Sequence, residues 1–495
     1  MKTPKALFRI AFAGALSAAL ALPAAAQVDL TRIALIGDSE GAGFSAGCLT
    51  KRVQVDSPIA VLARAQNVAD FQQPIVNDPG LGGCIVLTSL TGSTTQEPST
   101  GTPANLALPR PYNNLSIPGC AIGDMVRATK PSETSGGACG SFIDLVLRRA
   151  GSQVDQAIAL NPTFVFLENV GNDYLGAVLS GTVIDGVTVT PLAPFAADYN
   201  TALSKLKAKQ PNGIVFGVAD VTSIPFATTL PPFLTSGGKL VLNPATGGPI
   251  PLLGPKGCPT GVPACPIPAN TIVTLNAGRY LPSGFGIPCA VAPLPNCNKP
   301  LPAAFDPATG NPGALIYAAD VAFLKARGAQ YNAAIKVAAA ASGYKYYDVN
   351  DWLLRLKAGF DLGGITINAA FLTGGAFSYD GFHLTPIGYA LLADDLVQFM
   401  NANFNAGLQR VNLTTYLFNG GTNGGLSGSS GLFVPLNGEE FETAVQAIFT
   451  PEFARQLASM ISVAAPEEAP RHAPVAPADG SVLQGVERHG RVDQQ

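Results

Sequence analysis

The stretch YDGFHLTPIGY, Tyr379 to Tyr389, holds a histidine three residues after an aspartate and directly before a Thr-Pro pair. The sequence has 3 histidines, and the other two, His472 and His489, fall in a Pro/Ala/Glu-rich tail, so His383 is the only imidazole of the apolar body. Imidazole suits proton transfer near neutral pH, and a carboxylate within reach of it fixes its tautomer. Asp380 can do this if both side chains share one tight turn. A lone histidine also has a structural reading, but the local Asp and the lack of a rival base favour catalysis. A base needs a nucleophile, and GDSEG (37–41) offers Ser39, two residues beyond the apolar run TRIALIG (31–37). Taken alone, a serine beside glycines after a strand is equally a turn or cap residue.

These residues must be positioned by the elements around them. TRIALIG, TFVFLEN (163–169), GIVFGVAD (213–220) and KYYDVN (345–350) read as buried strands, with YNNLSI (112–117) a weaker fifth. Helical stretches lie between them at 141–160, 195–210 and 317–342, the last ending at Gly343. Strands alternating with helices predict an α/β fold with a mostly parallel sheet covered on both faces. In such sheets ligands gather at the carboxyl ends of the strands, where Ser39 falls. Thr385 and Pro386 have the chemistry of an N-cap and a first-turn proline. Ile387, Leu391, Leu392, Leu396 and Phe399 then mark the buried face of a helix that pins the Asp380–His383 loop.

GDS after the first strand and DGFH before the last helix resemble the SGNH or GDSL family of serine esterases and lipases. NLSIPG (114–119) looks like that family's second block and VGND (170–173) like its third. The resemblance spans Thr31 to about Asn405 and is closest to exported bacterial members. It implies a three-layer α/β/α sandwich of flavodoxin-like type with about five strands. It also implies a triad of Ser39, His383 and Asp380, with oxyanion donors from the Ser39 and Gly119 backbone and the Asn172 side chain. Asp38 and Asp173 are expected to shape loops. Glu40 stands where the family's name-giving motif has Leu, and Glu168 reads as a strand-end residue hydrogen-bonded nearby. No cofactor is implied. The expected substrate is a small-molecule or lipid carboxyl ester, with hydrophobic esters favoured. A carbohydrate-ester deacetylase and a non-catalytic exported binding protein are the alternatives.

Composition bounds the rest. Of 495 residues 47% are hydrophobic and 13% charged, and the net charge of −3 argues against a nucleic-acid partner. Lys2, Lys5 and Arg9 before an apolar run, with a small-residue site at Ala24-x-Ala26, read as a signal peptide over 1–26. That predicts a secreted or periplasmic protein with no transmembrane segment. The 8 cysteines are expected in disulfides between neighbours, notably Cys258 with Cys265 and Cys289 with Cys297, and a zinc site is disfavoured because no His lies near them. A hydrolase domain over 27–410 is expected to contain a Pro- and Cys-rich insertion at 226–312, either packed on the domain or covering a cleft. A linker and an amphipathic helix follow over 411–463, with Phe441, Val445, Phe449, Phe453, Leu457 and Ile461 at a spacing of four and a bend at Pro451. The tail 464–495 reads as disordered.

Overall fold

The computed structural model describes residues 28–87, 94–210, 212–418 and 438–459. The expected leader, the Gly-rich linker 419–431, Ile461 and the tail lie outside the described residues. The described chain is mixed α/β around one four-stranded parallel sheet. Its strands are β1 (Ile33–Ile36), β2 (Phe164–Leu167), β3 (Gly213–Phe216) and β4 (Lys345–Tyr347), hydrogen-bonded in that order. Every residue of β1, β2 and β3 is buried, because both faces of a parallel sheet are covered. Alternation sends the side chains to two separate apolar clusters. Ile33, Leu35, Phe164, Phe166, Ile214 and Phe216 join one, with Trp352, Leu391 and Leu396 from the helices Val349–Ala358 and Pro386–Phe404. Ala34, Ile36, Val165, Leu167 and Val215 join the other, with Phe195, Tyr199 and Tyr331 from Leu192–Lys207 and Ala318–Ser342.

Two expectations about elements change. Residues 112–117 form no strand of the sheet; Asn114 makes a single parallel bridge to Leu35. The stretch 141–160 is two helices, Gly137–Leu147 and Gln153–Ala159. Arg148 and Arg149 take left-handed φ of 50° and 59° between them, and Ser152 caps the second helix on the Asp155 N–H.

Each described cysteine bonds its neighbour in sequence: Cys48–Cys84, Cys120–Cys139, Cys258–Cys265 and Cys289–Cys297. Four disulfides fit an oxidising, extracellular or periplasmic setting, and no described helix is long and apolar enough to cross a membrane. The 226–312 segment builds short two-stranded ribbons around its own small core of Leu252, Ile267, Val273, Tyr280 and Leu301. The C-terminal pattern becomes two helices, Gly438–Ile448 and Pro451–Ser459, broken before Pro451. Val445, Ile448, Phe449, Phe453 and Leu457 are buried in the same cluster as Phe226, Phe371 and Phe382.

Candidate active site

Ser39 opens a single helical turn, Ser39–Ala42, beyond the end of β1. Asn172 opens the helix Asn172–Ser180, reached from the end of β2. The two meet because Ile36 is paired with Leu167, which brings the chain ends of adjacent strands to one edge. The Ser39 turn is held by two carboxyls. Asp38 Oδ1 accepts the Glu40 N–H at 3.1 Å, and its Oδ2 accepts the Val170 N–H at 3.0 Å. Glu168, directly after β2, accepts the N–H groups of Asp38 and Gly41 through Oε2, both at 3.1 Å.

Burial comes first among the causes that perturb these carboxyls. It pushes Asp38 up to about 6 against the hydrogen bonds it accepts. It pushes Glu40 up to about 8 against the pull of a charged His383, with Asp38 and Asp380 adding to the rise. Burial, with the charges of Asp38 and Glu40, raises Glu168 well above its ordinary value. Glu168 is a strap behind the Ser39 turn.

His383 Nδ1 lies 2.8 Å from Asp380 Oδ2. The carboxylate is saturated: Oδ2 also accepts the Gly47 N–H at 3.1 Å, and Oδ1 accepts Ser378 Oγ–H at 3.0 Å and the N–H groups of Phe382 and His383 at 3.1 and 2.9 Å. Burial alone would lower the His383 pKa, but the Asp380 carboxylate, with Glu40 and Asp38 behind it, raises it. Burial opposes the Asp380 charge in turn, and His383 with these donors holds the carboxylate below its usual value. The rings of Phe382 and Phe44 flank the imidazole, with centroids at 4.3 and 4.9 Å. Thr385 caps the next helix on the Gly388 N–H at 3.2 Å and donates to the Gly375 carbonyl at 2.7 Å, with Pro386 in the first turn. The loop is thus anchored as its sequence predicts.

Gly119 has φ +80°, and a Cβ there would come within 2.8 Å of Ala138 Cβ and 2.9 Å of the Cys139 nitrogen. Only glycine fits this bend. The Cys120–Cys139 disulfide ties the loop to the Gly137–Leu147 helix at the next residue. Asn172 Nδ2 donates to the Cys120 carbonyl at 3.2 Å, which joins the second and third blocks directly. An amide carries two hydrogens, so one is left for a ligand. Asp173 accepts the N–H of Ile122 and the Asn169 amide, and burial pushes it up to about 6; its work is to lock the loop.

Two cavities meet at these groups. One, of about 130 Å³, touches Ser39, Gly119, Asn172 and His383 and runs out past Ser135, Thr188 and Thr190. The other, of about 60 Å³, touches Ser39, Asn172 and His383 and is otherwise lined mostly by apolar side chains. No residue of 226–312 lines either one; Phe226 and Leu275 pack instead against Gly381 in the Asp380–His383 loop. Among the described residues no hydrogen bond joins Ser39 Oγ to His383. The one group of possible metal ligands there, Cys120, Asp124 and Cys139, has both sulfurs in a disulfide and so offers no thiolate.

The expected residues Ser39, Gly119, Asn172 and His383 therefore share one cavity wall, with Asp380 behind the imidazole. Sequence reasoning missed Gly47, whose N–H holds Asp380 from 333 residues away. It also missed Gln456 of the last helix, whose amide donates to the Gly47 carbonyl at 2.8 Å, and no local pattern signals either contact. No family model matches this chain, and no curated protein matches it.

Proposed function

We propose that this protein is an exported serine hydrolase of carboxyl esters, of the SGNH/GDSL type that its four sequence blocks resemble. One observation carries the reading: Ser39, Gly119, Asn172 and His383, scattered over 345 positions, line a single cavity, and Asp380 sits 2.8 Å from the far nitrogen of the imidazole. Unrelated buried residues have no physical reason to converge on this set.

In the proposed reaction Ser39 Oγ attacks the ester carbonyl while His383 Nε2 takes its proton. The carbonyl oxygen becomes an oxyanion facing the Ser39 and Gly119 N–H groups and the Asn172 amide. The C–O bond to the alcohol breaks, the alcohol leaves with the proton from His383, and Ser39 carries the acyl group. Water then repeats the sequence, with His383 again as base, and releases the acid. Asp380 keeps the Nδ1 proton in place and stabilises the imidazolium that forms twice per cycle. The same reading takes the four-stranded sheet, with Asn114 bridged to Leu35 beside β1, as the centre of a three-layer, flavodoxin-like arrangement.

The test uses oxidised protein, a fluorophosphonate probe and a panel of p-nitrophenyl esters. Covalent labelling at Ser39 and ester hydrolysis are expected, both lost in Ser39→Ala and His383→Ala. Unlabelled, inactive wild-type protein refutes the reading. Deacetylation of an acetylated sugar with no turnover of the simple esters would move the assignment to the carbohydrate-ester class.

A further inference from the structure

The two cavities at Ser39 differ in chemistry. The larger presents Ser135, Thr188 and Thr190 among its lining and includes Gly119. The smaller is walled by Val221, Ile224, Val349, Trp352, Leu353 and Leu392, and closes on the nucleophile through Glu40. Trp352 and Leu392 belong to helices on one side of the sheet and are buried in the same apolar cluster, so this wall is built from the core. Core walls are close-packed and do not swell freely to admit a larger guest. An apolar wall of this kind favours hydrocarbon over water.

We propose that the smaller cavity is the acyl-binding site, and that it takes a short straight-chain acyl group while the alcohol half of the ester lies in the larger, more polar cavity. This rests on the reading of Ser39 as nucleophile. The smaller cavity offers about 60 Å³ against about 130 Å³ for the larger. A short acyl chain therefore fills its apolar wall first, and carbons beyond about six gain little further burial there. The substrate class is thus an ester of a short fatty acid and not of a long-chain one.

Kinetics test the size limit. From acetate to butyrate to hexanoate, kcat/KM is expected to rise about fourfold for each methylene buried, then to level off or fall from octanoate to laurate. A Leu353→Phe substitution, which fills the cavity, should lower hexanoate turnover at least tenfold and leave acetate within about threefold. A rise that continues to laurate, or equal losses on every ester, overturns the proposal.

The chain has 1 tryptophan, Trp352, and it lines this cavity. Its fluorescence therefore reports on this site without turnover. In Ser39→Ala protein, ethyl 4-bromobutyrate places bromine on the acyl side, and 2-bromoethyl butyrate places it on the alcohol side. Saturable quenching by the first and not the second is expected; the reverse, or none at concentrations that saturate the wild-type enzyme, overturns the assignment. Acyl-side quenching in a protein whose wild type hydrolyses no ester would refute the hydrolase reading and leave the cavity assignment standing. Hydrolysis combined with alcohol-side quenching would do the opposite.

Discussion

Replacing Asp380 by Asn isolates the orienting charge, and the outcome can be worked from the hydrogen bonds. Oδ1 receives three donors, from Ser378, Phe382 and His383, while Oδ2 receives the Gly47 N–H and the imidazole Nδ1. An amide oxygen at the Oδ1 position keeps three bonds; turned the other way, its NH2 would face three donors. The first orientation wins. Its NH2 then faces Gly47 N–H and His383 Nδ1. Gly47 loses its acceptor, which costs about 1–3 kcal/mol of stability. The imidazole has to accept at Nδ1, so its proton moves to Nε2, the nitrogen that should take the Ser39 proton. A base locked in the wrong tautomer loses about 10⁴ in kcat. The assay is p-nitrophenyl butyrate hydrolysis at saturating substrate, with thermal unfolding of the same samples. Asp380→Ala is the less informative change, because it leaves four protein donors unpaired beside the ring and acts on folding as well as on rate. An Asp380→Asn enzyme that is folded and within tenfold of the wild-type kcat would refute the triad assignment.

Further outcomes follow from the same contacts. The kcat/KM profile should rise with pH through an apparent pKa above the ordinary histidine value of about 6.5, because Asp380 favours the imidazolium that must lose its proton to act as base; a midpoint at or below that value contradicts the geometry. In stability, Asp380 is lowered, so its contribution is present above about pH 3.9 and is lost as pH falls through its native value. His383 is raised, so its contribution is complete below about pH 6.5 and fades as pH climbs through its native pKa; unfolding midpoints should therefore peak between these limits once other groups are matched with a His383→Gln control. Glu168→Gln should keep kcat within about threefold, since an amide oxygen can accept the same two N–H groups and burial favours an uncharged side chain there, while Glu168→Ala strands the Asp38 and Gly41 N–H groups at about 1–3 kcal/mol each and lowers the unfolding midpoint. Gly119→Ala forces a left-handed residue, costing about 1–2 kcal/mol, against atoms 2.8 and 2.9 Å away, and the displaced N–H should lower kcat about 10²–10³-fold with KM less affected.

The four strand segments that form the sheet were legible because parallel, fully buried strands need unbroken apolar runs, and TRIALIG, TFVFLEN, GIVFG and KYY have no other use for them. Thr385–Pro386 announced the helix behind His383 because capping is a local hydrogen bond between residues a few positions apart. Asp380 and His383 could be joined for the same reason. Residues 112–117 misled as a strand because their hydrogen bonds to β1 run through one bridge and the Asn113 side chain, which propensity does not encode. The helix break at Arg148 and Arg149 was hidden because nothing in two arginines demands a positive φ.

What the sequence determined by itself is the inventory of local chemistry: a strand, a capped turn, an Asp and a His within one loop, a glycine at a bend. What the tertiary structure decided is everything that depends on distance in space. It raised the pKa of Glu168, which follows from burial beside Asp38 and Glu40 and not from residue type. It brought the Gly47 N–H onto Asp380 and Gln456 onto Gly47 across hundreds of residues. It also made the small apolar cavity beneath Ser39, because a void is the space that packed side chains leave unfilled, and no single segment carries its shape.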